Sequence, residues 1–335
     1  MPSSNSASST LARPIVVAAA IIVKEGLVFA ARRGPGKHLA GMWEFPGGKL
    51  EDGESPEHCL QRELYEEFGI ETRVGPLVGK NTHDYGSKLV QLLAFHVEHI
   101  RGDFELRDHD ELAWLDPEHL LTIDWAPADV PLAEQYLATF HTQTFYSGQA
   151  PEYCEESSQF ETATELDRFL ELIPPKGRIL DAGCGSGRDA KAFTALGHRV
   201  TAFDCNADVA DWASAYTGLS VQVRSFTEVD EKETYDGVWA SASLLHVPIP
   251  LLDEALKRLS SSLKRGGVIY MSFKEGDGAT TDARDRTFTN LSISGLTEQI
   301  GSIEELELID VWSSESQLRG HPQRWTNAFA RKSER

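Results

Sequence analysis

The sequence predicts two α/β domains in series, the second built on a mostly parallel sheet with helices on both faces. Three observations carry that expectation. The chain has 335 residues, too many for one ordinary core and suited to two domains of about 150 residues each. It holds two separate glycine-rich loops, Gly47-Gly48 and Gly183 to Gly187, each ahead of a helical pattern. From about residue 163 the rhythm changes from strands around one helix to a regular alternation of helix and strand. No internal repeat relates the halves, so they are different folds.

Taken in order, Met1 to Thr10 is Ser-rich, with no basic start and no cleavage-like site, and residues 1–13 read as a tail rather than a targeting signal. Residues 14–23 and 27–32 read as strands around a turn at Lys24-Glu25-Gly26. A helix is expected from Pro56 to Phe68. Ser55 is its N-cap, Pro56 suits the first position, Glu57 complements the positive end, and Gly69 supplies a left-handed C-terminal residue. Leu60, Leu64 and Phe68 form its core stripe. Strand-like runs at 87–97 and 112–115 and a helix at about 131–140 complete a first domain at 14–141. The polar stretch 142–151, with Gly148 and Pro151, is expected as the linker to a second domain at 152–335. There Arg178–Ala182, His198–Asp204, Tyr235–Ala240 and Val268–Phe273 read as strands separated by helices.

Composition narrows the function classes. Hydrophobic residues make up 41%, enough for globular burial. Ile15 to Val23 is far short of the roughly 20 apolar residues that span a bilayer, so no membrane partner and a cytoplasmic location are expected. Cys59, Cys154, Cys184 and Cys205 show no CxxC spacing and suggest reduced thiols rather than zinc or disulfides. The net charge of −20 is shared evenly, with 12 basic against 22 acidic residues through His141 and the same −10 after it. Neither half offers a basic footprint for a nucleic-acid polymer, and small ligands are favoured.

On the expected helix, Glu63, Glu66 and Glu67 share one face. Their Cβ atoms lie roughly 5–6 Å apart, where each pair repels by about 3 kcal/mol at an effective dielectric near 20. With Glu51 and Glu54 close by, this is either a solvated acidic face or a site for a hard divalent cation, Mg²⁺ or Mn²⁺, that takes oxygen ligands. The run Gly48-x₅-Glu54-x₇-Arg62-Glu63-Leu64-x-Glu66-Glu67-x-Gly69-Ile70 resembles the Nudix box at every defined position over 23 residues. The similarity extends over about 14–140 and looks MutT-like, closest to the branch that hydrolyses modified nucleoside triphosphates in nucleotide-pool sanitation.

That resemblance implies an α/β/α sandwich with a mixed sheet, in which Glu63, Glu66, Glu67 and the Gly47 carbonyl hold the metal. It implies that Arg33 contacts phosphates, that His38 contacts the ligand, and that Trp43, Glu44, Phe45, Pro46 and Gly47 line a base pocket whose purine edge is read by Asp129. Trp43 and Phe45 serve equally well as core. A catalytic acid before Trp114 matches Asp108, with Glu111 as a competitor. The implied products are a nucleoside monophosphate and pyrophosphate, from 8-oxo-dGTP or alternatively a modified (d)CTP.

In the second half a strand runs into Asp181-Ala182-Gly183-Cys184-Gly185-Ser186-Gly187 and a helix. A glycine loop alone also suits dinucleotide enzymes. Asp181, however, would meet an anionic pyrophosphate there, and the second acid, Asp204, follows Gly187 by 17 residues at the next strand's end. Two acids at successive strand ends suit a cationic ligand with a ribose diol. The arrangement resembles the class I methyltransferases, doubly wound Rossmann-like enzymes that use S-adenosylmethionine, over about 150–332. By that resemblance Asp181, Gly183, Gly185 and Gly187 line the methionine end, Asp204 takes the ribose hydroxyls, Ser225 and Phe226 flank the adenine, and Ala240 to His246 face the sulfonium. His246 is the candidate acceptor-site residue, as base or positioning group or as plain packing, and Arg319 and Trp325 lie where acceptor pockets form. A small-molecule acceptor is expected. The rival class is a sensor, a domain that binds a nucleotide or S-adenosylmethionine without turnover.

Overall fold

The computed structural model describes residues 13–160, 164–318 and 321–334. Nearly all of the expected tail, and Arg319, fall outside the described residues. The chain divides into two compact units, Met1–Tyr136 and Leu137–Arg335.

The first unit holds seven strands: β1 (Ile15–Lys24), β2 (Leu27–Arg33), β3 (Trp43–Glu44), β4 (Gly47–Lys49), β5 (Glu71–Asp84), β6 (Leu89–Arg101) and β7 (His109–Leu115). Their order is β3-β2-β1-β6-β5, with β4 on β1 and β7 on β2. β1 and β6 run parallel and the remaining pairs antiparallel, so the sheet is mixed. β1 shows why helices cover both faces. Ala18, Ala20 and Ile22 pack with Leu60, Leu64 and Phe68 of α1 (Pro56–Phe68), while Ala19 and Ile21 pack with Leu132 and Ala133 on the other side. A period of two along a strand buried on both faces requires that split.

The caps of α1 are as expected: the Ser55 side chain accepts from the His58 N–H, and Gly69 sits at φ 73°. β5 was not legible, because Gly75, Pro76 and Gly79 interrupt its pattern. The strand absorbs them through register shifts between Val74 and Gly79.

The expected linker is helical. α2 runs Val130–Ser158 and takes one non-helical residue, Gln149 (φ −131°, ψ 15°), just before Pro151. The kink gives Pro151 a first-turn position, where its missing N–H costs nothing. Gly148 and Pro151 therefore mark a bend in a helix rather than a loop.

In the second unit, β8 (Arg178–Ala182), β9 (Arg199–Asp204), β10 (Gln222–Val223), β11 (Tyr235–Ala240) and β12 (Leu263–Lys274) form a parallel sheet in the order β10-β9-β8-β11-β12. Beyond β12 the direction reverses. β16 (His321–Lys332) pairs with it antiparallel, β15 (Leu306–Leu318) lies on β16, and the hairpin β13 (Gly278–Thr281) with β14 (Thr287–Asn290) joins the end of β12. The remaining helices are α3 (Thr164–Leu172), α4 (Arg188–Ala195), α5 (Ala207–Thr217), α6 (Ile249–Ser262) and α7 (Ile293–Gly301). The four expected strands are present. β13 to β16 were not foreseen, since their polar alternation carries no continuous apolar run.

Because the order reverses between β8 and β11, a crevice opens at their carboxyl ends, the usual ligand position in open α/β sheets. Beneath it Trp239 is fully buried among Phe169, Phe193 and Tyr270, and its indole N–H donates to Asp189 at 2.9 Å. Among the described residues no helix is long and apolar enough to cross a membrane.

In the first unit Phe29 is fully buried, with Phe68, Phe104 and Trp114 rings at 5.5, 4.7 and 5.0 Å. Phe29→Ala should destabilise this unit by about 3–5 kcal/mol, read as a lower midpoint in chemical denaturation. A loss below about 1 kcal/mol would mean the surrounding rings close the cavity.

Candidate active sites

The first site is built where β4 meets α1. A Cβ on Gly48 would fall 2.1 Å from the Glu63 carboxyl, and one on Gly47 (φ 151°) would fall 2.1 Å from the Ala18 carbonyl. At Gly47 only glycine fits against the β1 backbone, and at Gly48 any side chain would displace the Glu63 carboxyl. Arg62 organises the acids around it: Nε and Nη2 donate to the two oxygens of Glu54, each at 3.0 Å, and Nη1 donates to Glu63 at 2.8 Å. These bonds hold Glu54 down at about 2. Glu66 is more exposed and lies 3.5 Å from Arg62.

Glu67 is different. Burial, with Glu44, Glu63 and Asp108 nearby, pushes it up to about 8, and its Oε2 is buried without a hydrogen-bond partner. An unpaired carboxylate in a negative field is a costly arrangement that a cation relieves. Among the described residues no three His, Cys, Asp or Glu side chains already stand together as a metal cage. The acids converge only as far as the field they share.

The neighbouring groups separate cleanly. Arg33 turns inward: its Nε donates to the His38 carbonyl at 2.6 Å and its Nη1 to Glu44. Arg32 turns outward to Asp110 and Glu111, at 2.8 and 2.6 Å. Glu111 is thereby occupied, whereas Asp108, paired with Lys37 at 2.8 Å, adds to the field at Glu67. Of the two competing acids, the geometry brings Asp108 to the cluster.

His38 meets Tyr85 edge-on at 5.6 Å. Phe45 is core, stacked on Trp125 at 4.4 Å, and Trp43 is half-buried beneath Arg32. The Phe45 N–H donates to Asp129 Oδ1 at 3.0 Å. Asp129 is only 5% exposed, and burial, with Glu44 beyond it, pushes it up to about 8. Near neutral pH it is mostly a neutral acid, able both to donate to and accept from a base edge.

His109 carried no motif signal. Its ring lies flat on Phe68 at 5.1 Å, and Nε2 bonds the Glu44 carboxylate at 2.9 Å, so Glu44 is clamped between His109 and Arg33. Its place next to Asp108 was the only available hint.

The second site lies at the carboxyl ends of β8, β9 and β11. Each glycine of the loop has its own reason. A Cβ on Gly183 would fall 2.6 Å from that of Ser243, and one on Gly187 would fall 2.5 Å from Thr217. These two allow close packing, while Gly185 keeps its face open toward the Tyr153 hydroxyl. Asp204 accepts from the Gly185 N–H and the Asn206 N–H, both at 3.0 Å, leaving one lone pair on each oxygen for a diol. Asp181 is 3% exposed with Oδ2 unpartnered, and burial together with Asp189 raises it well above the usual carboxylate range. A positively charged ligand fits beside such a group.

Phe226 is buried against Phe203 at 5.3 Å with its ring over Gly183. Ser225 forms a capping box with Glu228. Ala240, expected to face the sulfonium, is fully buried and presents no open surface there. Trp325 donates its indole N–H to Ser316 at 2.8 Å and lies opposite Lys274 in the β12–β16 pairing.

His246 has both nitrogens engaged. Nδ1 lies 3.0 Å from the Thr287 carbonyl, which can only accept, so Nδ1 carries the proton. Nε2 then accepts from the Tyr146 hydroxyl at 2.9 Å. Burial pushes the ring down to about 4, so it is neutral and a weak base. The geometry favours a positioning group for Tyr146 over a general base. Tyr146 and Tyr153, on the unforeseen extension of α2, carry no motif of their own.

With these two sites in place, the chain matches the NUDIX domain family over residues 17–135 and the methyltransferase domain family over residues 155–326. The chain belongs to the Nudix family in its first part and to the methyltransferase domain family in its second; it is a hydrolase and a methyltransferase in one polypeptide. Its first part is 41% identical to the CTP pyrophosphohydrolase of Escherichia coli over 124 residues, 37% of this chain and 92% of that protein. It is also 34% identical to the 8-oxo-dGTP diphosphatase of Haemophilus influenzae, covering 38% of this chain and 94% of that protein. The second part is 30% identical to the ubiquinone biosynthesis O-methyltransferase of Xanthomonas campestris over 105 residues, 29% of this chain and 43% of that protein.

Asp129 gives a pH test. Its value rises from 3.8 to about 8 on folding, so between those limits the folded state holds a proton that the unfolded state has released. Stability of the first unit should therefore fall as pH rises from about 4 to 8. Asp129→Asn should flatten that slope in melting curves taken from pH 5 to 8, and an unchanged slope would show that Asp129 is ionised throughout.

Proposed function

We propose that the first unit is a divalent-cation-dependent pyrophosphohydrolase that cuts modified nucleoside triphosphates of the 8-oxo-dGTP type to a monophosphate and pyrophosphate. The second unit transfers a methyl group from S-adenosylmethionine to a small-molecule acceptor. The observation that carries the hydrolase reading is Glu67, whose Oε2 is buried without a hydrogen-bond partner in the combined field of Glu44, Glu63 and Asp108. Mg²⁺ or Mn²⁺ would be held by Glu63, Glu66, Glu67 and the Gly47 carbonyl, an all-oxygen donor set of the kind these ions take. When bound, it supplies positive charge against the phosphate oxygens and makes a water more acidic.

The protein's own groups do the rest. Arg33, fixed by Glu44 and the His38 carbonyl, presents its remaining donors to phosphate. Lys37 and Asp108 stand at the edge of the cluster, where Asp108 can take a proton. The neutral Asp129 reads the base. A second reading, a cytidine triphosphate substrate, is favoured by the 41% identity to the Escherichia coli CTP pyrophosphohydrolase. Pyrophosphate release measured side by side for 8-oxo-dGTP, dGTP, CTP and dCTP decides between them.

In the second unit the carrying observation is Asp204 with lone pairs open at a strand end, together with the unpartnered Asp181 Oδ2. S-adenosylmethionine offers a diol and positive charge to such a pair. A nicotinamide dinucleotide would set its pyrophosphate against Asp181.

Glu67→Gln should keep α1 folded and lower Mg²⁺-dependent hydrolysis by about 10²-fold or more, as for loss of a principal catalytic group. Near-normal turnover would remove Glu67 from the site. Asp204→Ala should weaken S-adenosylmethionine binding about tenfold or more, through loss of charge-assisted hydrogen bonds. Calorimetry measures this on the full chain, and tighter binding of NAD by the unaltered protein would overturn the methyltransferase cofactor.

A further inference from the structure

Lys274, the last residue of β12, sits at the carboxyl edge of the parallel sheet, three residues past Met271, which pairs with Ala240 at the end of β11. Its Nζ lies 3.1 Å from the centroid of Phe288, and the Arg286 guanidinium lies 5.2 Å from the same ring. Arg286 bonds Asp282 through Nε and Nη2, at 3.0 and 2.7 Å. Among the described residues the Lys274 ammonium has no carboxylate partner. Two half-buried cations thus share one acid, in a chain whose net charge is −20. In a molecule so rich in acids, a second cation beside Arg286, facing only the Asp282 that Arg286 already bonds, calls for a physical reason at a ligand-binding edge.

The surroundings supply one. From the cofactor loop a continuous run of rings leads to these cations. The Tyr153 hydroxyl stands 3.5 Å from where a Gly185 side chain would begin. Tyr153 meets Tyr146 at 4.9 Å, Tyr146 meets His246 at 5.5 Å, and His246 meets Phe288 at 4.9 Å. Phe145 adds a further ring, 4.6 Å from Arg286. Tyr146, Tyr153, His246, Lys274 and Arg286 all retain partial exposure, as do Gly183, Gly185 and Asp204. One wall is aromatic, the far end is positive, and the near end is the proposed cofactor loop.

We infer that Lys274 and Arg286 form an anion-binding subsite for the methyl acceptor, and that the acceptor is a planar small molecule carrying a carboxylate or a phosphate. This rests on the methyltransferase reading of the second unit. The ring stacks on the tyrosines, its anionic group reaches the two cations, and the Tyr146 hydroxyl, which donates to His246 and accepts from Arg286, holds Arg286 in place beside it. An aromatic platform gives affinity with little demand for sequence-specific contacts, while the charged end fixes the direction in which the acceptor enters.

The full chain saturated with S-adenosylhomocysteine is titrated with benzoate, phenyl phosphate and benzamide by ligand-observed NMR. At least one of the two anions should bind more tightly than neutral benzamide, and which one separates a carboxylate acceptor from a phosphate one. In Lys274→Met that anion should bind about tenfold more weakly, the usual scale for a charge-assisted hydrogen bond, with benzamide unchanged. Arg286→Lys, which keeps the charge, should lose less. Equal binding of all three probes, or an anion preference retained in Lys274→Met while S-adenosylhomocysteine still binds, overturns the subsite. If the unaltered chain does not bind S-adenosylhomocysteine, the methyltransferase reading itself has failed and the subsite fails with it.

Discussion

Burying a carboxyl oxygen without a hydrogen-bond partner is among the more expensive arrangements in a folded chain, and each candidate site holds one, Glu67 Oε2 in the first unit and Asp181 Oδ2 in the second. In the first unit the group is Glu67, enclosed by α1 and the glycine loop and surrounded by Glu44, Glu63 and Asp108. The helix alone does not force this burial, since Glu66 on the same face remains exposed. The close approach of Gly48 to Glu63 and of Gly47 to β1 sets the loop against the acidic face of the helix. A side chain at Gly47 would run into the Ala18 carbonyl and push the loop off β1, and one at Gly48 would displace the Glu63 carboxyl.

Around this cost the structure places fixed bonds rather than free charges. Arg62 neutralises Glu54 and touches Glu63, and so limits the repulsion among the acids before any ligand arrives. Glu44 is clamped from two sides by Arg33 and His109, and His109 is immobilised by its stack on Phe68 in the helix core. The position of Arg33 is thereby tied to the packing of α1. Preorganisation of this kind spares the reorganisation that would otherwise be needed as charge develops.

Much of this was legible in the sequence, for identifiable reasons. The limits of α1 follow from Ser55, Pro56 and Gly69, each acting within a turn of itself, and the acidic face follows from helical spacing alone. The parallel core of the second unit follows from short apolar runs buried on both sides. What escaped depends on contacts distant in sequence. His109 matters because it lies 65 residues from Glu44 along the chain and 2.9 Å from it in space. β5 is broken by Gly75, Pro76 and Gly79, which only bulges against β6 make tolerable. Gly148 and Pro151 resemble a linker, but the kink at Gln149 lets helix continue through them and carry Tyr146 and Tyr153 to the second site. Asp129 is singled out in the sequence only through the family resemblance, and its raised value depends on burial near Glu44, which no local pattern encodes.

Burial raises both Asp204 and Glu67 above their ordinary values, and the two differ in the fixed donors that face them. Asp204 is held by two backbone N–H groups at 3.0 Å, fixed donors that support its charge without consuming all of its lone pairs. Burial raises this carboxyl group above its ordinary value, but the fixed donors offset part of that cost and leave it able to accept from neutral hydroxyls. Glu67 has no comparable support, and its orphaned oxygen is set among other acids. Hydroxyl groups would not relieve that repulsion, because they bring no net charge. A divalent cation would relieve it, and under the proposed hydrolase reading the same charge would let a triphosphate, with several negative oxygens of its own, approach so acidic a surface. In such a field a cation and an anionic ligand would each be better accommodated with the other present, so their binding would be interdependent.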